Sequence, residues 1–362
     1  MPLPEKVEVL VVGAGPAGAT AAEHAAINGA EVLVIERRPQ VGVPVRCGEF
    51  MPDLDEVGSI FPQATDLEAL FDVPSWLRDL ETQATRIYSP KLRSFEVPFH
   101  GYTTDRDRFD QYLAGKARKA GATIATGVRL THLADGLART SDGDVRAKVV
   151  IGADGPLSVV AKSLSMERSW DLCPAATAVA EGEFEPVPEM YFGSVAPGGY
   201  AWVIPKRHGA NVGLGYSKRF AKGTLGSYWR EFLRMRPMQV GKLRGKMVPM
   251  SGPIRSTVKG NALLVGDAAG QVMAVNGGGI PIALICGRIA GEIAASHAKE
   301  GIDLMEYERR WRKMVGGPLR TAVGTKRLAM MMFGSNWRLE QAMRFLGPKE
   351  MGKAIRCRSV LF

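Results

Sequence analysis

Cysteine is scarce in this chain. Its 362 residues hold four, Cys47, Cys173, Cys286 and Cys357, with no CxxC pair and no metal-type spacing. A disulfide framework and a bound structural metal are therefore not expected, and a reducing compartment is. Long hydrophobic runs are missing too. No window of about 18 consecutive apolar residues exists, so a bilayer-spanning helix is not expected. The chain opens directly into a strand-like run, Val7–Val12, so no secretory signal is expected. Internal repeats, low-complexity tracts and disorder-type composition are absent. What remains is ordinary globular material, 46% hydrophobic and 23% charged, long enough for two domains around a shared cleft.

Acidic residues nearly vanish from the last stretch. Between Arg309 and Phe362 stand thirteen Lys/Arg and two Glu, in a chain whose whole net charge is +10. Interleaved with those cations are Leu328, Met330, Met331, Met332, Phe333, Trp337, Met343, Phe345 and Leu346. Two readings stay open: a peripheral surface for anionic lipid, or a helical cap on the core with a solvated basic face. Nucleic acid is not an expected partner, because no recognition motif accompanies the charge.

Strand Val7–Val12, a Gly-rich turn, a helix over about Ala17–Asn28 and strand Glu31–Glu36 make a βαβ unit. Residues 40–75 read as an irregular excursion and Thr85–Val97 as sheet of a second domain. Arg106–Ala120 has helical spacing and Thr123–Ala125 returns as strand. Asp142-Gly143 marks a turn before strand Ala147–Ile151. Strand patterns dominate Ala175–Tyr216, with a helix near Leu225–Met235, strand Ala262–Val265, a long helix Ile280–His297 and two more helices. The expected fold class is α/β. Residues 1–75, 104–170 and 255–300 form a Rossmann-like nucleotide domain. Residues 76–103 and 171–254 form a discontinuous antiparallel-sheet substrate domain, and 301–362 a C-terminal helical tail.

Gly13-Ala14-Gly15-Pro16-Ala17-Gly18 is GxGxxG between a strand and a helix. Its glycines permit the tight turn, close approach to a pyrophosphate and close helix–strand packing, and the helix N-terminus offers free N–H groups. Glu36, ending the second strand, can accept the hydroxyls of an adenosine ribose and disfavours a 2′-phosphate. The nucleotide is thus FAD or NAD rather than NADP. Gly152-Ala153-Asp154-Gly155, with Ser158 beyond it, and Ala262–Gly270, a strand ending in Gly-Asp-Ala-Ala-Gly, decide between them.

At these residues the chain resembles, over nearly its whole length, the flavoprotein superfamily of p-hydroxybenzoate hydroxylase, flavin halogenases and geranylgeranyl reductases. The resemblance implies FAD as cofactor, with Asp267 on its ribityl chain. Gly277, Gly278 and Gly279 then open a helix, so that Gly279 and Ile280 face the pyrimidine end, where a helix N-terminus stabilises the negative charge of reduced flavin. Arg106, in Arg-x-x-Phe-Asp, matches the arginine that contacts FAD, and Val128 sits where backbone meets adenine. In hydroxylases the Asp154-Gly155 segment continues to an arginine where this chain has Ala161, so its usual link to a pyridine nucleotide is not carried over.

Two segments are similar to the geranylgeranyl reductase branch. Pro197–Pro205 matches PxxYxWxFP with Ile204 in place of Phe. Val45–Glu49 matches the RCGE segment that runs beside the isoalloxazine, which puts Cys47 and Gly48 at the flavin. The residue that follows is Phe50 rather than the usual Gly, a departure expected to narrow the pocket. The resemblance implies saturation of geranylgeranyl double bonds by flavin hydride transfer plus protonation, on an archaeal-type ether glycerophospholipid. Tyr200 and Trp202 are expected to line an apolar tunnel, with Cys47, Tyr200 or a water donating the proton. An external reductant (NADPH, ferredoxin or a deazaflavin) is implied, and a cytoplasmic enzyme peripheral on the inner face of the membrane. The alternatives are a flavin monooxygenase or halogenase acting on an aromatic, and an FAD electron relay feeding a quinone.

Overall fold

The opening motif folds as its pattern requires. Lys6–Val12 is a strand, Pro16–Ile27 a helix and Val32–Glu36 the next strand in the computed structural model, which describes residues 2–360. The extreme ends of the expected segments 1–75 and 301–362 lie outside the described residues. Strand Lys6–Val12 pairs in parallel with Val32–Glu36 on one side (Val9↔Val32) and with Gly143–Gly152 on the other (Val9↔Val149). Flanked on both edges and covered on both faces, its second half, Val9–Val12, reads as a continuous apolar run, after an alternating start at Lys6–Glu8. The full order is Val258–Lys259, Ala262–Leu264, Gly143–Gly152, Lys6–Val12, Val32–Glu36, Thr123–Thr126, with the hairpin Leu130–Ala134/Leu137–Thr140 hung on Gly143–Gly152.

Helices Pro16–Ile27 and Ile280–Glu300 pack side by side on this sheet. A Cβ at Gly287 would stand 2.6 Å from the Ala17 carbonyl oxygen, and one at Gly291 would stand 2.2 Å from that of Ala21. The alanine-rich face and these glycines thus let the two backbones touch. Helix Ile280–Glu300 is long and apolar enough to cross a bilayer, yet 83% of its most apolar window is buried within the protein. It is a core helix.

The second sheet also has eight strands, in the order Arg244–Pro249, Leu172–Ala180, Gly209–Gly215, Tyr200–Lys206, Glu189–Tyr191, Glu81–Tyr88, Ser94–Thr103, Phe50–Pro52. All pairs are antiparallel except Glu189–Tyr191 with Glu81–Tyr88. The stretch 40–75, expected to be irregular, contains a strand and helices Leu54–Ile60 and Leu67–Leu70. Its strand pairs Phe50 with Thr103, so the chain crosses to the second sheet directly after Cys47.

Among the described residues three helices follow Glu300, one more than expected: Met305–Met314, Gly316–Met332 and Asn336–Ile355. The last is kinked at Gly347 (φ 64°, ψ −178°), because Pro348 offers no N–H and drives its predecessor out of helical geometry. Much of this tail is core. Trp311 and Tyr307 are fully buried, and each such side chain is worth ~1.5–3 kcal/mol. Trp311 Nε1 donates to Thr257 Oγ1 at 3.0 Å, and the Tyr307 hydroxyl donates to the Leu264 carbonyl at 2.9 Å.

Candidate active site

One cavity of about 1470 Å³ runs between the two sheets and ends against the last helices. At its nucleotide end each motif glycine has a separate job. Gly13 has φ +103°, and a Cβ there would lie 2.5 Å from the Ala153 carbonyl oxygen. A Cβ at Gly18 would stand 1.9 Å from the Gly13 oxygen, so this glycine serves helix–strand packing and does not line the cavity. At Gly15 a Cβ would meet nothing within 4 Å, only the space a pyrophosphate would fill. Gly15 caps the helix without a side-chain hydrogen bond, leaving first-turn N–H groups for an anion. Glu36 is held in place: Oε2 accepts from Ala14 N and Oε1 from Arg38 N, both at 2.9 Å. Ala17, Val128 and Arg38 share this end of the cavity.

The middle of the cavity carries charge. Asp267 sits in a short turn after strand Ala262–Leu264, with Oδ2 3.0 Å from Lys246 Nζ. Asp267 raises the pKa of the Lys246 ammonium against the pull of burial. Gly279 caps helix Ile280–Glu300, and a Cβ at 279 would be 3.6 Å from Asp267 Oδ1, so the helix N-terminus and the carboxylate adjoin. Arg106 grips Asp110 twice, at 2.9 and 3.1 Å. Burial opposes its charge, but Asp110 and neighbouring Cys47 outweigh that, so the guanidinium pKa is raised. Two cations, each paired with an aspartate, thus adjoin a helix N-terminus, and that N-terminus is the group that would favour an anionic reduced flavin. Asp154 lines the cavity as well; its Oδ2 accepts from Val159 and Val160 N–H, while buried Oδ1 has no hydrogen-bond partner among the described residues. These residues fit a flavin dinucleotide.

Tyr200 and Trp202 line the far wall, from strand Tyr200–Lys206. The Tyr200 hydroxyl donates to the Asn276 carbonyl, and burial, aided by Cys47, pushes its pKa well up. Its proton is committed to the backbone, which leaves Tyr200 as wall more than acid. Aromatic rings continue outward: Trp202 to Tyr200 at 5.9 Å, Tyr200 to Phe192 at 5.7 Å, Phe192 to Phe333 at 6.3 Å between centroids. Phe333 belongs to the C-terminal helices, so the wall passes from the strand signature into the tail. Cys47 is half-buried and lines the cavity; Cys173 also lines it but is buried, as are Cys286 and Cys357. The Glu49 N–H donates to Cys47 Sγ at 3.3 Å. Gly48 lies under the signature strand, where a Cβ would come within 3.0 Å of Ile204 Cδ1.

Thus Gly13, Gly15, Ala17, Glu36, Cys47, Gly48, Arg106, Val128, Tyr200, Trp202, Asp267, Gly279 and Ile280 come together around one cavity. Phe50 does not. Its side chain turns away onto Phe99, ring centroids 5.9 Å apart, and covers Gly101, so it cannot narrow the pocket. The reason is the strand pairing of Phe50 with Thr103, which fixes its face. Sequence reasoning missed Lys246, Asp110 and Asn211. The first two carried a weak signal, a lone lysine in a strand and an acid one turn after Arg106; Asn211 carried none.

Fold and site together define a flavoprotein: one parallel nucleotide-binding sheet, one antiparallel sheet, and the flavin cleft between. The geranylgeranyl reductase catalytic domain family matches residues 174–251, and the NAD(P)-binding Rossmann-like family matches residues 11–71. A digeranylgeranylglycerophospholipid reductase of Methanocaldococcus jannaschii is 36% identical over 84% of this chain and 82% of its own length. A crystal structure of a geranylgeranyl bacteriochlorophyll reductase-like protein from Thermoplasma acidophilum superposes with TM-score 0.81 at 29% identity, covering 93% of this chain and 90% of that one. The myxobacterial chondrochloren halogenase shares the fold alone, with TM-score 0.71 at 17% identity over 99% of this chain and 91% of that one. The chain belongs to the geranylgeranyl reductase family, in its digeranylgeranylglycerophospholipid reductase-like branch.

Proposed function

We propose that this protein saturates the double bonds of geranylgeranyl chains on an archaeal-type ether glycerophospholipid, with FAD as its flavin. The observation that carries the reading is the continuity of the cavity. A single space joins the dinucleotide turn at Gly13 to Cys47, Tyr200 and Trp202, and continues to the apolar side chains Leu328, Met331, Trp337 and Phe345. An extended isoprenoid needs such a channel, and a small aromatic acid does not. Bound FAD, once reduced, would supply the hydride. The chain supplies the rest.

An unactivated trisubstituted alkene accepts hydride only with a proton delivered to the adjacent carbon, in a site from which water is excluded. The aromatic wall excludes the water. Cys47 donates the proton: it lines the cavity beside Arg106, and the Glu49 N–H on its sulfur leaves the thiol hydrogen to turn inward. Arg106 and Lys246, each paired with an aspartate, would lie beside the cofactor and help to balance the charge it carries when reduced. Electrons come from an external donor: NADPH, a ferredoxin or a deazaflavin.

The mouth of the cavity lies on the C-terminal helices. Met331, Trp337 and Phe345 are 57, 65 and 79% exposed there, among exposed Arg327, Arg338 and Arg344. This apolar rim with cations around it suits the headgroup region of an anionic membrane, from whose cytoplasmic face the lipid would enter.

The test is anaerobic. Photoreduced holoenzyme mixed with a geranylgeranyl ether phospholipid should reoxidise, with product mass rising by two hydrogens per bond. Cys47→Ala should slow that step by about 10²-fold, the scale of a positioned acid. An enzyme that is silent toward the lipid under nitrogen, yet consumes oxygen with an aromatic substrate, would overturn the reading.

A further inference from the structure

Asn211 lies in strand Gly209–Gly215, behind the cavity wall, and is 1% exposed. Its Oδ1 accepts from Trp202 Nε1 at 2.9 Å and from Thr177 Oγ1 at 2.7 Å. Its Nδ2 donates to the Cys47 carbonyl oxygen and to Glu49 Oε2, both at 2.8 Å. All four hydrogen-bonding positions of the amide are thereby used. The partners also fix its orientation. An indole N–H can only donate, and a carbonyl and a carboxylate can only accept, so the amide cannot be flipped. Trp202 reaches it because residue 213 is glycine: a Cβ there would lie 2.2 Å from the indole Cζ2.

The amide therefore ties two parts of the site that are far apart in the chain. One is the loop on which Cys47 faces the cleft. The other is the wall carrying Trp202. The loop needs such a tie, since Glu49 sits at φ +65°, a left-handed conformation that a residue with a side chain adopts at some expense. Its carboxylate is anchored further by the Arg106 N–H at 3.0 Å and Lys206 Nζ at 3.3 Å. Lys206 is itself 2.6 Å from Asp105. Burial opposes the charge on Lys206, and Glu49 and Asp105 outweigh it, raising its pKa.

We propose that Asn211 is a positioning residue that holds the Cys47 loop and the Trp202 wall in register across the reacting bond. Its role in turnover rests on the reductase reading above, but its hold on Cys47 does not. Two measurements on the holoenzyme separate these. The first is the rate at which iodoacetamide alkylates Cys47, followed by peptide mapping against the three buried cysteines. The second is the anaerobic reoxidation of photoreduced enzyme as a function of geranylgeranyl lipid concentration. Asn211→Asp keeps the size and turns both donors into acceptors facing the Cys47 carbonyl and Glu49. It should retain flavin at the wild-type ratio, speed Cys47 alkylation by about tenfold and lower the limiting rate by about 100-fold, more than it changes KM. Wild-type alkylation and limiting rate in that variant would overturn the proposal. Should the variant fail to fold, Thr177→Val decides. It removes one donor to Oδ1, keeps the shape and does not touch the loop, so alkylation at least about twofold faster is expected; an unchanged rate overturns the proposal. A wild-type enzyme that no geranylgeranyl lipid reoxidises would overturn the functional reading instead, and the alkylation result would still judge Asn211.

Discussion

The two ends of the cavity are built by opposite means. At the nucleotide end, the recognising groups are backbone N–H groups and a carboxylate within one continuous stretch, Gly13 to Glu36, and glycines matter for the room they leave. At the lipid end, recognition is apolar area, contributed by the signature strand, the Cys47 loop and the C-terminal helices. The difference follows from the ligands. A pyrophosphate demands donors at fixed positions, whereas a hydrocarbon chain demands only a dry surface of the right width. The first end should therefore fail abruptly when its geometry is disturbed, and the second should fail by degrees.

The largest expected effect is at Gly18. Because any side chain there would collide with the Gly13 carbonyl, Gly18→Val should abolish soluble, flavin-bearing protein, seen in yield and in the loss of a cooperative melt. A yellow Gly18→Val protein would break the contrast outright. Next comes Glu36→Arg, which removes the acceptor of the Ala14 and Arg38 N–H groups and sets a cation at the ribose. FAD affinity should fall by about 100-fold, read in a flavin-release titration, in line with about 3 kcal/mol for a charged hydrogen-bonded group.

The lipid end should respond more gently. Removing everything after Gly334 is a poor probe, because the last helix buries Leu339, Met343 and Met351, and Arg356 pairs with Glu56. Trp337→Glu with Phe345→Glu leaves those contacts alone. The pair should weaken binding to anionic vesicles by about tenfold in a flotation assay, with the flavin spectrum unchanged. Loss of flavin in the double variant would mean the rim supports the core and not the membrane.

The smallest effect belongs to acid. Burial, with Arg288 and Lys116 nearby, lowers the His24 pKa from 6.5 to about 4. A base with a depressed native pKa is protonated first in the unfolded chain. Stability should therefore fall as pH drops from about 6.5 to about 4 and be unaffected by this residue above that window. Thermal melts across the range should show the slope, and His24→Gln should flatten it. A flatter wild-type profile than the variant's would refute the assignment.

How legible each end was follows the same division. The strand, the turn, the helix and Glu36 were readable from residue order, since each acts on a neighbour a few positions away through the backbone. The class of ligand followed from spacing, and Asp267, Arg106, Val128 and Cys47 from resemblance to a family. Phe50 was misplaced because a single residue gives no sign of which face its strand will present. The basic tail was left open between lipid surface and core cap; the structure buries Trp311, Leu339 and Met343 in the core and leaves Trp337 and Phe345 exposed, and the lipid surface stays a proposal.

By itself, then, the sequence determined the nucleotide turn, because that depends on backbone conformation set by adjacent residues, while the flavin and the reductase signature followed from resemblance to a family. Only the tertiary structure decided which distant side chains meet. Asn211 joins Cys47 across 164 positions, and Lys246 reaches Asp267 from the opposite sheet. Sheet register and the long crossings between sheets make those pairings, and they leave no periodic mark in the chain.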